Sequence, residues 1–148
     1  METKSYENED FFRLVEIELE ECGKVRIKVR GFSMQPIIRN GRDTVMLEQV
    51  KDNNPIKGQI YLFRYNGRHI LHRYIDDKDG MMVMRGDNLF SYEYCKPNDL
   101  VGIVRSICHN GCDISPTSLK WKIITSIHRT YKRVRMYGGK ILRLLGLR

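Results

Sequence analysis

The chain begins with hydrophobic positions that recur every three or four residues and changes, after Gly23, to a period of two. The first pattern predicts an amphipathic helix that begins at Asn8, a good N-cap residue, and stops at Gly23. Its apolar face consists of Phe12, Val15, Leu19 and Cys22. Beyond Gly23, apolar and basic residues alternate over residues 25–30, which indicates a half-buried β-strand.

The middle of the chain predicts a series of short strands separated by turns. The runs rich in β-branched and aromatic residues are 44–49, 58–65, 68–75, 81–85 and 100–107. Asn-Gly pairs at 66–67 and 110–111 favour tight hairpin turns. The polar stretches 51–58 and 91–98 are interpreted as loops. We therefore predict a mainly β domain of about six strands.

From Thr117 the apolar positions again follow the period of a helix. The predicted apolar stripe is Leu119, Ile123, Ile124, Ile127, Tyr131 and Val134. The basic residues Lys122, Arg129, Lys132 and Arg133 lie on the opposite side. Gly138-Gly139 is expected to break this helix before a short piece that ends at Leu145. The pattern divides the chain into an N-terminal helix (1–23), a β domain (24–116) and a basic amphipathic tail (117–148).

The net charge of +8 is concentrated in the tail. Residues 117–148 contain nine basic and no acidic residues, which leaves 17 basic and 18 acidic residues elsewhere. Such a helix can pack on the domain with its basic face in water, contact an anionic membrane surface, or bind nucleic acid. We disfavour nucleic acid as a partner, because no helix-turn-helix pattern accompanies the domain.

The four cysteines form no CxxC pair and no disulfide framework. The Cys108–Cys112 run is better explained by its Asn-Gly turn than by a metal, and we predict neither metal nor cofactor. The first ten residues are polar and acidic, and no apolar run is long enough for a transmembrane helix. We expect reduced thiols and a cytoplasmic location, with contact at the inner membrane surface an open alternative.

The candidate chemistry begins at Gly31–Pro36, which reads GFSMQP. Ser33 follows a predicted strand, where a turn exposes its hydroxyl and leaves backbone N–H groups free. A serine needs a base to become a nucleophile, and histidine and aspartate follow in ILHRY (residues 70–74) and RGDN (residues 85–88). His69 and His72 are three residues apart on one strand, so only one of them can face the site.

Four motifs together, GFSMQP, ILHRY, RGDN and LVGIV (Leu100–Val104), resemble the type I signal peptidase superfamily, which also contains the LexA-like repressors. The resemblance covers residues 28–107 and implies a coiled β-sheet or barrel-like catalytic domain. By resemblance, Ser33 matches the nucleophile, and Asp87 matches the acidic residue of the Gly-Asp-Asn box, which would orient His72 or support it through its charge. His72 matches the general base of the Ser–His branch, the endoplasmic-reticulum and archaeal type, where the main bacterial branch has a lysine.

Three features depart from the family pattern. Gly31 stands where many signal peptidases have a hydroxyl residue that helps to hold the oxyanion, so the hole would depend on backbone N–H groups near Ser33 and Met34. Glu93 stands six residues after Asp87, where some Ser–His members have a second aspartate, so whether Asp87 or Glu93 supports His72 stays open. We interpret Glu93 chiefly as a solvated loop acid and keep it among the substrate or oxyanion candidates. The family's membrane anchor is not found in this sequence.

The resemblance implies a serine endopeptidase that trims a precursor or leader peptide, bound as an extended strand with small residues before the cut. The alternative is a non-catalytic module that uses the same fold to bind peptides or a membrane surface. Self-processing in the manner of the LexA-like repressors is disfavoured, because the residues before the first motif predict one helix and no DNA-binding unit. The basic tail adds a peripheral contact with an anionic membrane as an expected partner.

Overall fold

A computed structural model describes residues 3–51 and 54–145 and contains an eight-stranded antiparallel sheet with a helix at each end of the chain. The helices are α1 (Thr3–Cys22) and α2 (Leu119–Leu144). The strands are β1 (Lys24–Lys28), β2 (Thr44–Gln49), β3 (Ile60–Tyr65), β4 (Arg68–Lys78), β5 (Met81–Arg85), β6 (Glu93–Cys95), β7 (Leu100–His109) and β8 (Cys112–Ile114). The predicted mainly β fold with two terminal helices is confirmed.

The strands follow the order β1-β2-β7-β3-β4-β5-β6, and β8 pairs with β7. Within the described residues β1 pairs with β2 alone, so its other edge is open. Both predicted Asn-Gly turns are present, since Asn66, Gly67, Asn110 and Gly111 all have positive φ angles. Two positive φ angles in a two-residue loop are those of a type I′ turn, whose twist matches the flanking strands.

The sheet buries apolar side chains in two clusters. The larger cluster packs Val15 and Leu19 of α1 against residues such as Leu47, Ile60 and Val104. The second contains Tyr61, Phe63, Tyr74, Met82, Met84, Cys95 and Ile103. Alternation along a strand sends neighbours to different clusters, as for Ile60 and Tyr61, so the pattern of period two fills two cores rather than one.

The N-terminal helix is longer than predicted. It begins at Thr3, so Asn8 lies inside the helix and the prediction of an N-cap there is wrong. Gly23 ends the helix as predicted, with a φ of 74° and its N–H donated to the Leu19 carbonyl at 3.0 Å. Cys22, predicted to lie on the buried face, is exposed.

Two predicted loops have different outcomes. The stretch 91–98 is not simply a loop, because it contains β6 and the start of a single 3₁₀ turn, Pro97–Asp99. The three residues of β6 pair with β5, a long-range contact that a polar local sequence does not reveal. The stretch 51–58 contains no helix or strand in its described part, and residues 52 and 53 lie outside the described residues.

The C-terminal helix differs from its prediction in two ways. It continues through Gly138-Gly139 to Leu144 rather than breaking at the glycines. Its apolar stripe faces solvent, with Leu119, Ile127 and Val134 between 64% and 72% exposed. The side that meets the domain carries polar residues, of which Thr125 is buried. Of the three alternatives left open for the tail, packing of the apolar face against the domain is therefore not found.

Candidate active site

The first motif forms a turn directly after β1. Gly31 has a φ of 108°, which glycine adopts readily, and its N–H donates to Oδ1 of Asn40 at 2.8 Å. The chain then turns through Ser33 and returns to the core, where Met34 and Ile37 are buried. Met34, predicted as a substrate or oxyanion candidate, therefore places its side chain mainly in the core. Ser33 itself is half-buried and lies at the rim of a cleft.

A buried aspartate ties this turn to the sheet. The Asp43 carboxylate accepts hydrogen bonds from the backbone N–H and the guanidinium of Arg39, at 2.6 to 3.2 Å. Nδ1 of His109 lies 2.8 Å from the same carboxylate. Burial by itself raises the pKa of Asp43, but the contacts with Arg39 and His109 outweigh it and hold the pKa below its usual value. The turn that carries Ser33 is thus closed by a charged cluster.

Ser33 and His72 come together at Gly86, in the connection between β5 and β6. A Cβ atom added at Gly86 would lie 2.6 Å from the Ser33 carbonyl oxygen and 2.9 Å from Nε2 of His72. The Ser33 backbone and the His72 ring are therefore no further apart than the sum of these distances. Among the described residues no hydrogen bond joins the Ser33 hydroxyl to His72 or to any other side chain.

The second ring nitrogen of His72 contacts Glu93, one of the two acids left open from the sequence. Its Nδ1 lies 2.8 Å from Oε2 of Glu93, and both side chains are largely buried. Glu93 is the first residue of β6, where it pairs with Met84 of β5. The interpretation of Glu93 as a solvated loop acid is wrong, and its carboxylate contacts the histidine rather than the substrate side of the cleft.

Asp87 has a different set of partners. Arg73 donates two hydrogen bonds to its carboxylate, from Nε at 2.9 Å and from Nη2 at 2.7 Å. Arg129 of α2 lies 3.9 Å away. Burial, followed by the nearby charge of Arg85, lowers the pKa of Arg129. Among the described residues no hydrogen bond joins Asp87 to His72, so the contact expected between them is not found.

Asn88 makes more contacts with the serine turn than any residue selected from the sequence. Its backbone N–H donates to the Ser33 carbonyl at 2.8 Å, and its side-chain amide donates to the Phe32 carbonyl at 2.9 Å. His128 and Lys132 of α2 contact its Oδ1 at 3.0 and 2.8 Å. Asn88 belongs to the RGDN motif, so the sequence did point to this segment, although the predicted site residue was its neighbour Asp87.

The turn also offers backbone donors for an oxyanion. Within the described residues, the N–H groups of Ser33 and Met34 make no backbone hydrogen bond. The Gly31 N–H is already donated to Asn40, so Gly31 contributes its conformation rather than a donor. A serine hydroxyl, a histidine held by a carboxylate, and free N–H groups beside the serine are the components that acyl transfer requires.

The comparison with known families identifies the chain. Residues 3–105 match the model of the Peptidase S24-like family, and this match covers more than half of the sequence. The chain belongs to the Peptidase S24-like family. Membership supports the superfamily indicated by the four motifs and a serine-peptidase type of function in general. No curated protein matches the chain.

The S24-like chain has a cleft at the candidate site. A cavity of about 200 Å³ lies between the end of β1, the serine turn, α1 and β4. Its lining includes Val29, Ser33, His69 and Leu71. His69 therefore faces the cleft, whereas His72 is not part of its lining. Nε2 of His69 lies 2.7 Å from Oε1 of Glu16, and its ring stacks on Phe12 with centroids 4.4 Å apart. Each of the two histidines thus has its own glutamate.

The S24-like chain also has a cationic cavity behind the site. A cavity of about 280 Å³ is lined by Arg73, Arg85, Arg129 and Lys122 around the single carboxylate of Asp87. Among the described residues there is no group of three or more His, Cys, Asp or Glu side chains that could hold a metal ion. Asp87 is therefore surrounded by positive charge, and removing its carboxylate would leave that charge unbalanced.

Proposed function

We propose that this S24-like chain is a serine endopeptidase of the Ser–His branch, with Ser33 as nucleophile and His72 as general base. One observation carries the proposal. The His72 ring has Glu93 at one nitrogen and the Ser33 backbone beside the other, at the contact point of Gly86. A catalytic triad needs a base that is held at one ring nitrogen by a carboxylate, and we propose that the Ser33 hydroxyl reaches the other nitrogen of His72 during the reaction.

The proposed reaction proceeds in two halves. His72 Nε2 takes the proton of the Ser33 hydroxyl while Oγ attacks the scissile carbonyl carbon, and the resulting oxyanion accepts a hydrogen bond from the Ser33 N–H. His72 then gives its proton to the leaving amine, and the acyl-enzyme forms. In the second half His72 deprotonates a water that hydrolyses the ester. The Glu93 carboxylate holds Nδ1–H and stabilises the imidazolium.

We propose an extended peptide as substrate, from a precursor or a leader. The cleft lies beside the end of β1, whose free edge offers unpaired backbone groups to an additional strand. Its volume of about 200 Å³ and its apolar lining suit small side chains on the acyl side of the cut. A folded segment would have no free backbone to pair with this edge.

Self-cleavage at the Cys22–Gly23 bond is a less favoured variant of this function. Cysteine is a small residue, and the bond precedes the β domain. However, the Gly23 N–H is donated to Leu19, and the Gly23 carbonyl accepts the Gln49 N–H at 2.9 Å. The bond is therefore fixed between α1 and β1 in a conformation that is not extended, so we propose cleavage of a separate peptide.

We propose a cytoplasmic location for this reaction. All four cysteines are free thiols, including the exposed Cys22 and Cys112. Exposed thiols persist in a reducing compartment. No described helix has the length and apolarity needed to cross a membrane.

The proposal is tested with a fluorophosphonate probe, which forms a covalent bond with an activated serine. We expect the wild-type chain to be labelled at Ser33 and Ser33→Ala to be unlabelled. His72→Ala should slow labelling by about 10²- to 10⁴-fold, because the general base is lost. His69→Ala is the matched control, since this histidine lies on the same strand, lines the cleft beside Ser33 and also contacts a glutamate.

Two results would reverse the assignment. Loss of labelling in His69→Ala with retention in His72→Ala would make His69 the base. A wild-type chain that is folded and unlabelled, but binds extended peptides in a calorimeter, would favour the non-catalytic module. In active protein, mass spectrometry of peptides incubated with wild type and Ser33→Ala then identifies the cut and its flanking residues.

A further inference from the structure

The outward side of α2 is an apolar stripe without a partner among the described residues. We define this outer stripe as Leu119, Ile123, Ile127, Tyr131, Val134 and Tyr137, which are between 51% and 72% exposed. Their spacing of three or four residues places them on one face of the helix. The 26 residues of α2 make a helix about 39 Å long, so the outer stripe is an extended apolar surface and not a single exposed apolar side chain.

The β domain does not pack against the outer stripe. It contacts the opposite side of α2, which carries Trp121, Thr125, His128 and Lys132, and the last two contact Asn88. Because those contacts fix the rotation of the helix, the outer stripe cannot turn inward without breaking them. Its exposure is therefore built into the way α2 packs on the domain.

Positive charge borders the outer stripe on both sides. Exposed Lys120 and Arg135 follow one edge, and exposed Lys122, Arg133 and Lys140 follow the other. Residues 117–148 contain no acidic residue. An apolar face with lysine and arginine at its edges is what a helix needs to lie in the interface of an anionic bilayer, where each basic residue contributes about 1 kcal/mol.

We propose that α2 docks this protein on an anionic membrane surface, with the outer stripe in the acyl boundary and its basic borders at the lipid headgroups. A second copy of the chain fits the same face less well. Two stripes packed together would bring basic borders against basic borders, with no carboxylate in either tail to neutralise them. This inference is independent of the peptidase assignment.

The test is flotation of the full-length protein with two kinds of vesicle, phosphatidylcholine alone and phosphatidylcholine mixed with phosphatidylglycerol. We expect binding to the anionic vesicles only, weakened by added salt. The double variant Ile123→Asp/Ile127→Asp should bind at least about tenfold more weakly, because two large apolar side chains no longer enter the bilayer. The matched control is Leu14→Asp/Ile17→Asp, two exposed apolar residues of α1 that are 66% and 43% exposed. It should bind as wild type.

Three outcomes would overturn the proposal. The wild-type protein does not bind anionic vesicles, or the double variant in α2 binds them as well as wild type does. Alternatively, sedimentation without lipid shows a dimer that Ile123→Asp/Ile127→Asp separates, in a protein that ignores vesicles, which would make the stripe a contact between copies. Circular dichroism of each variant confirms that the substituted residues, all exposed, leave the fold intact.

Discussion

At the scale of single residues, the two carboxylates near the candidate site have different partners. Glu93 contacts the His72 ring, whereas Asp87 balances Arg73 and lies near Arg129. In the proposed mechanism Glu93 therefore orients the base, whereas Asp87 holds the arginines and the loop beside them. The proposed order of serine, histidine and acid takes Glu93 as its acid.

This division predicts opposite effects for two conservative substitutions. Glu93→Gln should lower the rate of probe labelling at least tenfold, a barrier of about 1.4 kcal/mol, with little loss of stability. Asp87→Asn should lower the free energy of unfolding by about 3 kcal/mol, because the largely buried Arg73 and Arg129 lose the one carboxylate that lines this cavity among the described residues. Labelling rates and urea unfolding measure the two quantities. Equal stability losses, or a labelling defect confined to Asp87→Asn, would contradict the division.

At the scale of elements, the connection between β5 and β6 joins the parts of the candidate site. It brings Gly86 against both Ser33 and His72, and Asn88 against the Ser33 carbonyl. A glycine is needed at position 86 because there is no room for a side chain, since a Cβ would come within 3 Å of three atoms. Its backbone angles do not require glycine. The connection works only if its backbone touches both catalytic candidates.

Gly86→Ala should therefore impair chemistry more than folding. The added methyl group must displace the Ser33 carbonyl or the His72 ring, and labelling should fall by at least about tenfold, as misplaced groups lose catalytic geometry. Gly67→Ala is the control, because Gly67 has a positive φ and open space around it. It should cost about 1 kcal/mol of stability and leave labelling unchanged. Normal labelling in Gly86→Ala would show that the contact is not important.

Local signals predicted some elements well and long-range contacts explain the rest. The hairpin of β3 and β4 follows from Asn66-Gly67 and its flanking apolar residues, all within a short window. In contrast, β6 exists because it pairs with β5, and α2 turns its polar side inward because Asn88 and Asp87 lie there. Neither partner is visible in the local sequence. The choice of His72 over His69 came from the family resemblance, because their spacing alone only places them on opposite faces of the strand.

At the scale of the whole molecule, a charged cluster far from the termini joins distant parts of the chain. Asp43 follows the serine turn, while His109 ends β7 and lies beside Trp121 of α2, with ring centroids 5.1 Å apart and the ring planes tilted by 35°. Arg39 completes the cluster from within the turn. Protonation of one buried carboxylate would therefore weaken the turn, the sheet and the helix contact together.

The lowered pKa of Asp43 predicts loss of stability in acid. Because the unfolded chain binds this proton more readily than the folded one, the stabilisation is present above about pH 4 and is lost as the pH falls below it. Urea unfolding at several pH values should show this decline. The free energy of unfolding of Asp43→Asn should be lower at neutral pH and should fall less steeply as the pH is lowered. Asp113→Asn, which removes an exposed pair with Arg26, should follow wild type. Parallel curves for Asp43→Asn and wild type would contradict this origin.

The hydrogen bonds between α2 and Asn88 have a consequence for C-terminal truncation of the chain. A truncation before Leu119 removes an apolar and cationic helix that lies outside the residues matched to the family, 3–105. It would also take away the ammonium of Lys132 and the imidazole of His128, which secure Asn88 and, through it, the serine turn. A truncated protein that the probe does not label could therefore have lost the serine turn, whatever its contact with lipid. Point substitutions in the outer stripe separate the two roles of α2.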